Sequence, residues 1–222
     1  MAKNTGKTMK GEKTYLSILK EAETIFAELG YAAARIEDVA VAVGIQRASL
    51  IYYYRNKQEI FDAVETRIHK DLLESVERRL AAQSDPLLRL LAVLDGWLDF
   101  LSERTTAARI ILRGSADLTL RSSNPVEFSG ATVDLFEKIV RQGVDAKAFP
   151  PIDPLQLLNT VGAGIIFFAC NGRNYGSSRG YQPSDPETRE RFRQTLHKIV
   201  FALLSPAPRQ KAAVRRDRLS AE

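Results

Sequence analysis

Gln46, Arg47, Ala48, Ser49, Tyr52 and Tyr53 fall within eight consecutive residues, and their side chains match the groups displayed along a nucleic-acid groove. A guanidinium such as that of Arg47 pairs bidentately with guanine, the Ser49 hydroxyl donates to or accepts from a base or a phosphate, and the Ala48 methyl packs on a thymine methyl. Gln46 adds a further polar tip. Tyr53 and Lys57, where the chain leaves this segment, are placed to grip phosphates, which positions a module without reading sequence.

Side chains read a groove only when mounted on a rigid back, and the flanking residues supply one. Ile36, Val39, Ala40 and Val43 recur at helical spacing and predict one short helix with a buried face. Gly44 follows at once, as suits a residue that must leave a helix through a left-handed backbone. Ile45 is an apolar anchor in the turn. Gln46 to Tyr52 then makes a second short helix with Leu50 and Ile51 inward, and Tyr54 is expected in the core with Tyr52 and Tyr53 exposed. Upstream, Tyr15, Ile18, Leu19, Ala22, Ile25, Phe26 and Leu29 form the apolar stripe of a supporting helix over 14–29, closed by Gly30. The layout is that of a three-helix helix-turn-helix unit. Two short amphipathic helices joined by glycine also occur in helical proteins that never touch DNA, so the bare pattern leaves both readings open.

From about Tyr15 to Val64 the chain resembles the tetracycline-repressor (TetR) family of bacterial regulators. The resemblance rests on the amphipathic first helix, Gly30-Tyr31, Ile36-Glu-Asp-Val-Ala40, Gly44-Ile45, Leu50-Ile-Tyr-Tyr-Tyr-Arg-Asn-Lys57 and Glu59-Ile60. It implies DNA contacts at Arg35, Gln46, Arg47, Ala48, Ser49, Tyr52, Tyr53 and Lys57. Three positions depart from the pattern. Arg35 and Gln46 stand where the family usually has a Ser or Thr cap, and Ile51 stands where a DNA-facing tyrosine is common. The resemblance further implies a dimeric repressor, released from a pseudo-palindromic operator by a small hydrophobic effector. The alternative is a helical ligand-binding or interaction module without sequence-specific DNA binding.

The 222 residues carry a formal net charge of +5, a mild bias that permits nucleic-acid binding without demanding it. Lysines stud the first 13 residues and arginines the last 18, and both ends are expected to be disordered basic segments. The only histidines, His69 and His197, lie on separate predicted helices, and no phosphate loop, nucleophile elbow or metal-ligand cluster is present, so catalysis, a metal and a cofactor are not expected. Cys170 is the single cysteine and sits in an apolar run, as a small hydrophobe in a reducing cytosol would. The apolar stretch 161–169 is too short to cross a bilayer and no leader segment is expected, which predicts a cytoplasmic protein with no membrane partner.

Beyond the head, Lys57 to Ala82 predicts a long helix able to couple two domains. Asp85-Pro86, Asn124-Pro125, Asp153-Pro154 and Asp185-Pro186 each pair an N-cap with proline at the first helical position. They predict helices over 86–104, 125–145, 154–171 and 186–204, with a shorter one over 106–116 and a loop over 171–184. The fold class is therefore all-α, with a DNA-binding unit at 14–57 and a helical effector-binding and dimerisation bundle at 58–204. Trp97, Phe100, Phe128, Phe136 and Phe167 are the candidate pocket wall. Gly162, Gly164, Phe192, Leu196, Ile199 and Leu203, on the last two helices, are the candidate dimer contacts. Arg109 and Arg113 share a face of the short helix and are expected to be solvated. The partners expected are double-stranded operator DNA, a second copy of the chain and an unidentified small-molecule effector.

Overall fold

A computed structural model describes the backbone over residues 5–116 and 126–205, and the side chains over 11–115 and 130–205. Among these residues the secondary structure is helical, in the order α1 (Thr5–Ala33), α2 (Ile36–Val43), α3 (Arg47–Tyr53), α4 (Lys57–Leu80), α5 (Pro86–Glu103), α6 (Thr105–Ala116), α7 (Val126–Asp145), α8 (Pro154–Asn171) and α9 (Pro186–Leu204). The all-α expectation and the helix order both hold.

The first helix begins well before Thr14. Residues 5–13, expected as a disordered arm, continue α1. Lysine, glutamate and methionine are good helix formers, and an existing helix extends at little cost once nucleated. The basic tail from 206 onward lies outside the described residues.

The N-caps expected at three proline junctions are formed. Asp85 accepts from Leu87 and Leu88 N–H at 2.9 and 3.0 Å, Asp153 from Gln156 at 3.0 Å and Asp185 from Thr188 at 2.8 Å. At Asp185 the bond from the Thr188 backbone N–H, first, and the Thr188 side chain lower the carboxyl pKa. The Asn124 junction lies outside the described residues.

Helix α1 packs on α2, α4 and α6, and α4 packs along α5. Ile18, Phe26, Leu50 and Ile60 form the centre of the head, continuous through Val64 and Ile68 with Leu90, Leu94, Leu98 and Ile165 in the bundle. Gly96 sets the α4–α5 approach: a methyl group there would sit 2.8 Å from Val76 Cγ2. Helix α8 is long and apolar enough by composition to span a bilayer, a wider apolar length than 161–169 alone suggests, and here it packs on α5, α6 and α7.

Candidate nucleic-acid interface

The turn between α2 and α3 is built on Gly44. Its φ of 75° and ψ of 33° are left-handed, a region where a side chain is strained. From there Gly44 N–H donates to Val41 O at 3.1 Å and Ile45 N–H to Ala40 O at 3.0 Å, the two bonds of a Schellman closure. The start of α2 is also satisfied without the usual hydroxyl. Arg35 cannot accept, but its own backbone N–H donates to Asp38 Oδ2 at 3.0 Å, the reciprocal half of a capping box. Helix α3 starts without a side-chain cap, because the Gln46 side chain does not reach back.

Leu50 is fully buried and mounts α3 on the head. Gln46, Arg47, Ala48 and Ser49 are exposed, Tyr52 is 86 % exposed, and Arg35 is exposed just before α2. Tyr53, expected exposed, is half-buried: its ring meets Tyr52 edge-on at 5.6 Å and packs against the core. Tyr54 is core, stacked on Tyr15 at 5.8 Å, and burial raises its phenol pKa.

Two charged residues stand in relationships that the linear sequence does not display. Arg47 Nε lies 2.6 Å from Glu37 Oε1 on α2. Lys57 does not stand free for a phosphate. Its ammonium donates to Tyr31 O at 2.7 Å, Ala34 O at 3.1 Å and Ala32 O at 3.3 Å, and lies 4.4 Å from the centre of the Tyr31 ring. Three carbonyls use all three N–H groups of an ammonium. Gly30 creates this site: with φ 80° and ψ 164° it breaks α1 and turns Tyr31 onto Phe26 and Phe61. The carbonyls beyond the break then converge on Lys57.

The expected pocket wall divides. Trp97 and Phe136 are buried and stacked at 5.7 Å. Phe100 instead faces a surface groove between α4 and α5, beside Ser75, Arg78 and Arg79, and Arg104 lies over its ring. Phe167 is 51 % exposed on α8, so it lines no interior. The Phe128 side chain lies outside those described. Among the expected dimer contacts, Leu196 and Gly162 are buried within the protomer, Gly162 against Leu158 and Trp97. Phe192 stacks on Phe168 at 4.2 Å and Gly164 faces Phe192, whereas Ile199 and Leu203 are exposed. Helical period places an apolar residue on a face; it does not say whether that face is covered by the same chain. Arg113, expected solvated, reaches back to Glu28 O on α1 at 3.3 Å.

Comparison with known proteins converges on this head. Residues 18–64 match the family described as bacterial regulatory proteins, tetR family. The head of the chain is thus similar to the TetR family, whose model it matches over that segment. Two curated relatives are the HTH-type transcriptional activator FasR of Mycolicibacterium smegmatis, 28 % identical over 94 residues, and the biofilm operon icaADBC negative transcriptional regulator IcaR of Staphylococcus epidermidis, 43 % identical over 44 residues. The matched segments cover 42 % and 20 % of this chain, and 43 % and 24 % of those relatives, so the chain aligns with less than half of either. Solved structures of other regulators share the fold along most of the chain. The Bacillus subtilis regulator FadR in complex with stearoyl-CoA is 17 % identical with a TM-score of 0.66, covering 86 % of this chain and 98 % of that one. AibR, in complex with isovaleryl coenzyme A and operator DNA, is 19 % identical with a TM-score of 0.67, covering 87 % and 99 %. The ketosteroid regulator KstR2 of Mycobacterium tuberculosis is 19 % identical with a TM-score of 0.66, covering 85 % and 93 %.

Proposed function

We propose that the protein is a cytoplasmic, dimeric transcriptional repressor that reads a pseudo-palindromic operator and releases it on binding a small, largely apolar effector. The observation that carries the DNA-binding half is the exposed surface of α3, Gln46 to Ser49 with Tyr52, mounted on the fully buried Leu50. Tyr52 touches Tyr53 edge-on yet leaves 86 % of its surface exposed beside an arginine and a serine, more than packing alone accounts for. Lys57 leaves the contact list. Arg35, Gln46, Arg47, Ala48, Ser49, Tyr52 and the outward edge of Tyr53 remain on it. The test is a binding selection of the full chain against a random duplex pool, with Arg47→Ala in parallel. A palindromic motif is expected, with affinity falling steeply as salt rises because phosphate contacts release counterions. Motif-free binding, the same in both proteins, would sink the assignment.

Dimerisation is supported by the uncovered outer face of α8 and α9, where Phe167, Ile199 and Leu203 are between 41 and 51 % exposed near Ala163 and Ala202. Such a patch suits a two-fold partner. The paired substitution Ile199→Glu, Leu203→Glu is expected to leave the fold intact and shift the protein to monomer at micromolar concentration. Sedimentation velocity reads this directly, and a dimer that persists would move the interface elsewhere.

The effector half rests on Trp97. Its indole N–H is buried without a hydrogen-bond partner while its ring stacks on Phe136. An unpaired buried donor costs about 1–3 kcal/mol, which an acceptor atom on a bound molecule would offset. Trp97 is the only tryptophan in the chain, so its fluorescence reports on this region alone. Titration with stearoyl-CoA, isovaleryl-CoA and free fatty acids follows the ligand chemistry of the similar folds, and a saturable emission change that also lowers operator affinity would identify the effector class. The protein is not proposed to be an enzyme, nor to associate with a membrane.

A further inference from the structure

We propose that Glu37 is a second specificity residue, which holds the Arg47 guanidinium in the orientation that reads a base pair. The inference rests on α3 being the DNA-reading element. Glu37 is in the first turn of α2 and Arg47 is the first residue of α3, ten positions apart, and the turn at Gly44 brings them to 2.6 Å. Both side chains are more than half exposed, so the pair adds little to folding. The position is also one that a DNA-binding surface should avoid, since a carboxylate among groups that face phosphates opposes association.

The pair makes sense as an orienting device. Arg47 occupies the amino end of α3, where the helix dipole repels a cation and where no side-chain cap holds the turn. Unrestrained, so long a side chain would sample many rotamers, and ordering it on the DNA would weaken binding. Glu37 meets it through Nε, nearest the stem of the guanidinium. A contact at Nε restrains the stem and leaves the terminal Nη pair to serve as the fork that bonds guanine O6 and N7. Glu37 would not touch the base; it acts through Arg47. It also penalises binding anywhere that Arg47 finds no guanine, because its own charge then lies near phosphates with nothing gained.

The random-pool selection is run on the wild-type full chain and on Arg47→Ala, Glu37→Gln, Glu37→Ala and the double variant Glu37→Ala, Arg47→Ala. Affinities are then measured on the selected duplex and on its single-base-pair variants. Arg47→Ala is expected to lower discrimination at one base pair per half-site by about 5- to 150-fold. Glu37→Gln and Glu37→Ala are expected to lower it at that same base pair by about 3- to 10-fold, while raising affinity for unrelated duplexes by about 2- to 5-fold. The double variant should discriminate no worse than Arg47→Ala alone. A merely structural role for Glu37 would shift the melting temperature and change affinity for all sequences alike. Glu37→Gln keeps the shape of the side chain, so it separates loss of charge from loss of packing. Unchanged preference at the Arg47 position in both Glu37 variants, or a change at a different base pair, would overturn the proposal and leave the DNA-reading assignment standing. A wild-type protein that selects no motif would remove the ground for both.

Discussion

Arg104→Ala is expected to destabilise the protein by about 3 kcal/mol, the lower end of the range for breaking a buried ion pair from one side. Arg104 caps the end of α5. Its Nε donates to Glu23 Oε1 at 2.8 Å, its Nη2 pairs with Glu23 Oε2, and its Nη1 donates to Asp71 Oδ2 at 2.6 Å. Thr106, at the start of α6, donates to the same Glu23 carboxylate at 2.6 Å. Burial works against the arginine's charge, yet the bonds and charges of Glu23 and Asp71 outweigh it, so its pKa is raised. Glu23 is 7 % exposed, so removing the guanidinium strands a carboxylate with only one hydroxyl donor. Arg104 keeps a quarter of its side-chain surface in water, which places the loss at the lower end. Urea denaturation measures it. Glu23→Gln should recover a substantial part of the loss when added to Arg104→Ala, because the stranded charge is then gone. Equal and additive losses would show that the groups do not act as a pair. Arg104→Lys should rescue poorly, since a single ammonium cannot serve two carboxylates with the planar fork of arginine.

That network has a consequence for the proposed regulation. It joins α1 of the head to α4 and to the α5–α6 junction of the bundle, and Arg113 adds a second tie from α6 to the end of α1. The head is therefore mounted on the bundle by α6 as well as by the long α4. A rearrangement at Trp97 on α5 would reach α1 within two turns of the same helix, through Arg104. Stability and the proposed coupling would then draw on the same side chains.

Local chemistry made the helices readable. Asp85, Asp153 and Asp185 each announce a helix start because cap and proline act within four residues, and each cap is formed. Gly44 was equally plain, since a left-handed turn demands glycine. What escaped the sequence depends on contacts between distant positions. Phe167 and Phe136 both sit on helical apolar stripes, but one faces outward and the other is fully buried, and only the packing of α7 and α8 decides which. Glu37 carries no signal of its own in the sequence, because nothing in a ten-residue interval reveals that the turn folds it onto Arg47. Arg35 looked like a missing cap because the compensating carboxylate, Asp38, belongs to the other half of the motif. Lys57 is the sharpest case. Its partners lie 23 to 26 residues earlier, exposed by a break in α1 at Gly30.

Lys57→Ala is accordingly expected to act on the head rather than on the DNA, with a loss of about 2–4 kcal/mol from charge-assisted bonds to carbonyls that helix geometry leaves unpaired. The two bonds to Tyr31 O and Ala34 O are partly buried, and the third is exposed and contributes less. The variant also forfeits the contact with the Tyr31 ring, whose packing on Phe26 and Phe61 closes the core beneath α4. Lys57→Met retains the apolar stem, so its stability should fall between alanine and wild type. The decisive comparison is DNA binding well below the melting temperature. If Lys57 clamps the end of α1, the folded variant keeps its base preferences and its salt dependence, and only the melting temperature moves. If Lys57 instead reaches a phosphate, stability changes little, affinity falls for every sequence alike, and the slope of log affinity against log salt drops by about one. The geometry favours the first outcome, because an ammonium with three carbonyl acceptors has no N–H left for a phosphate and would have to break the closure of α1 to make that contact.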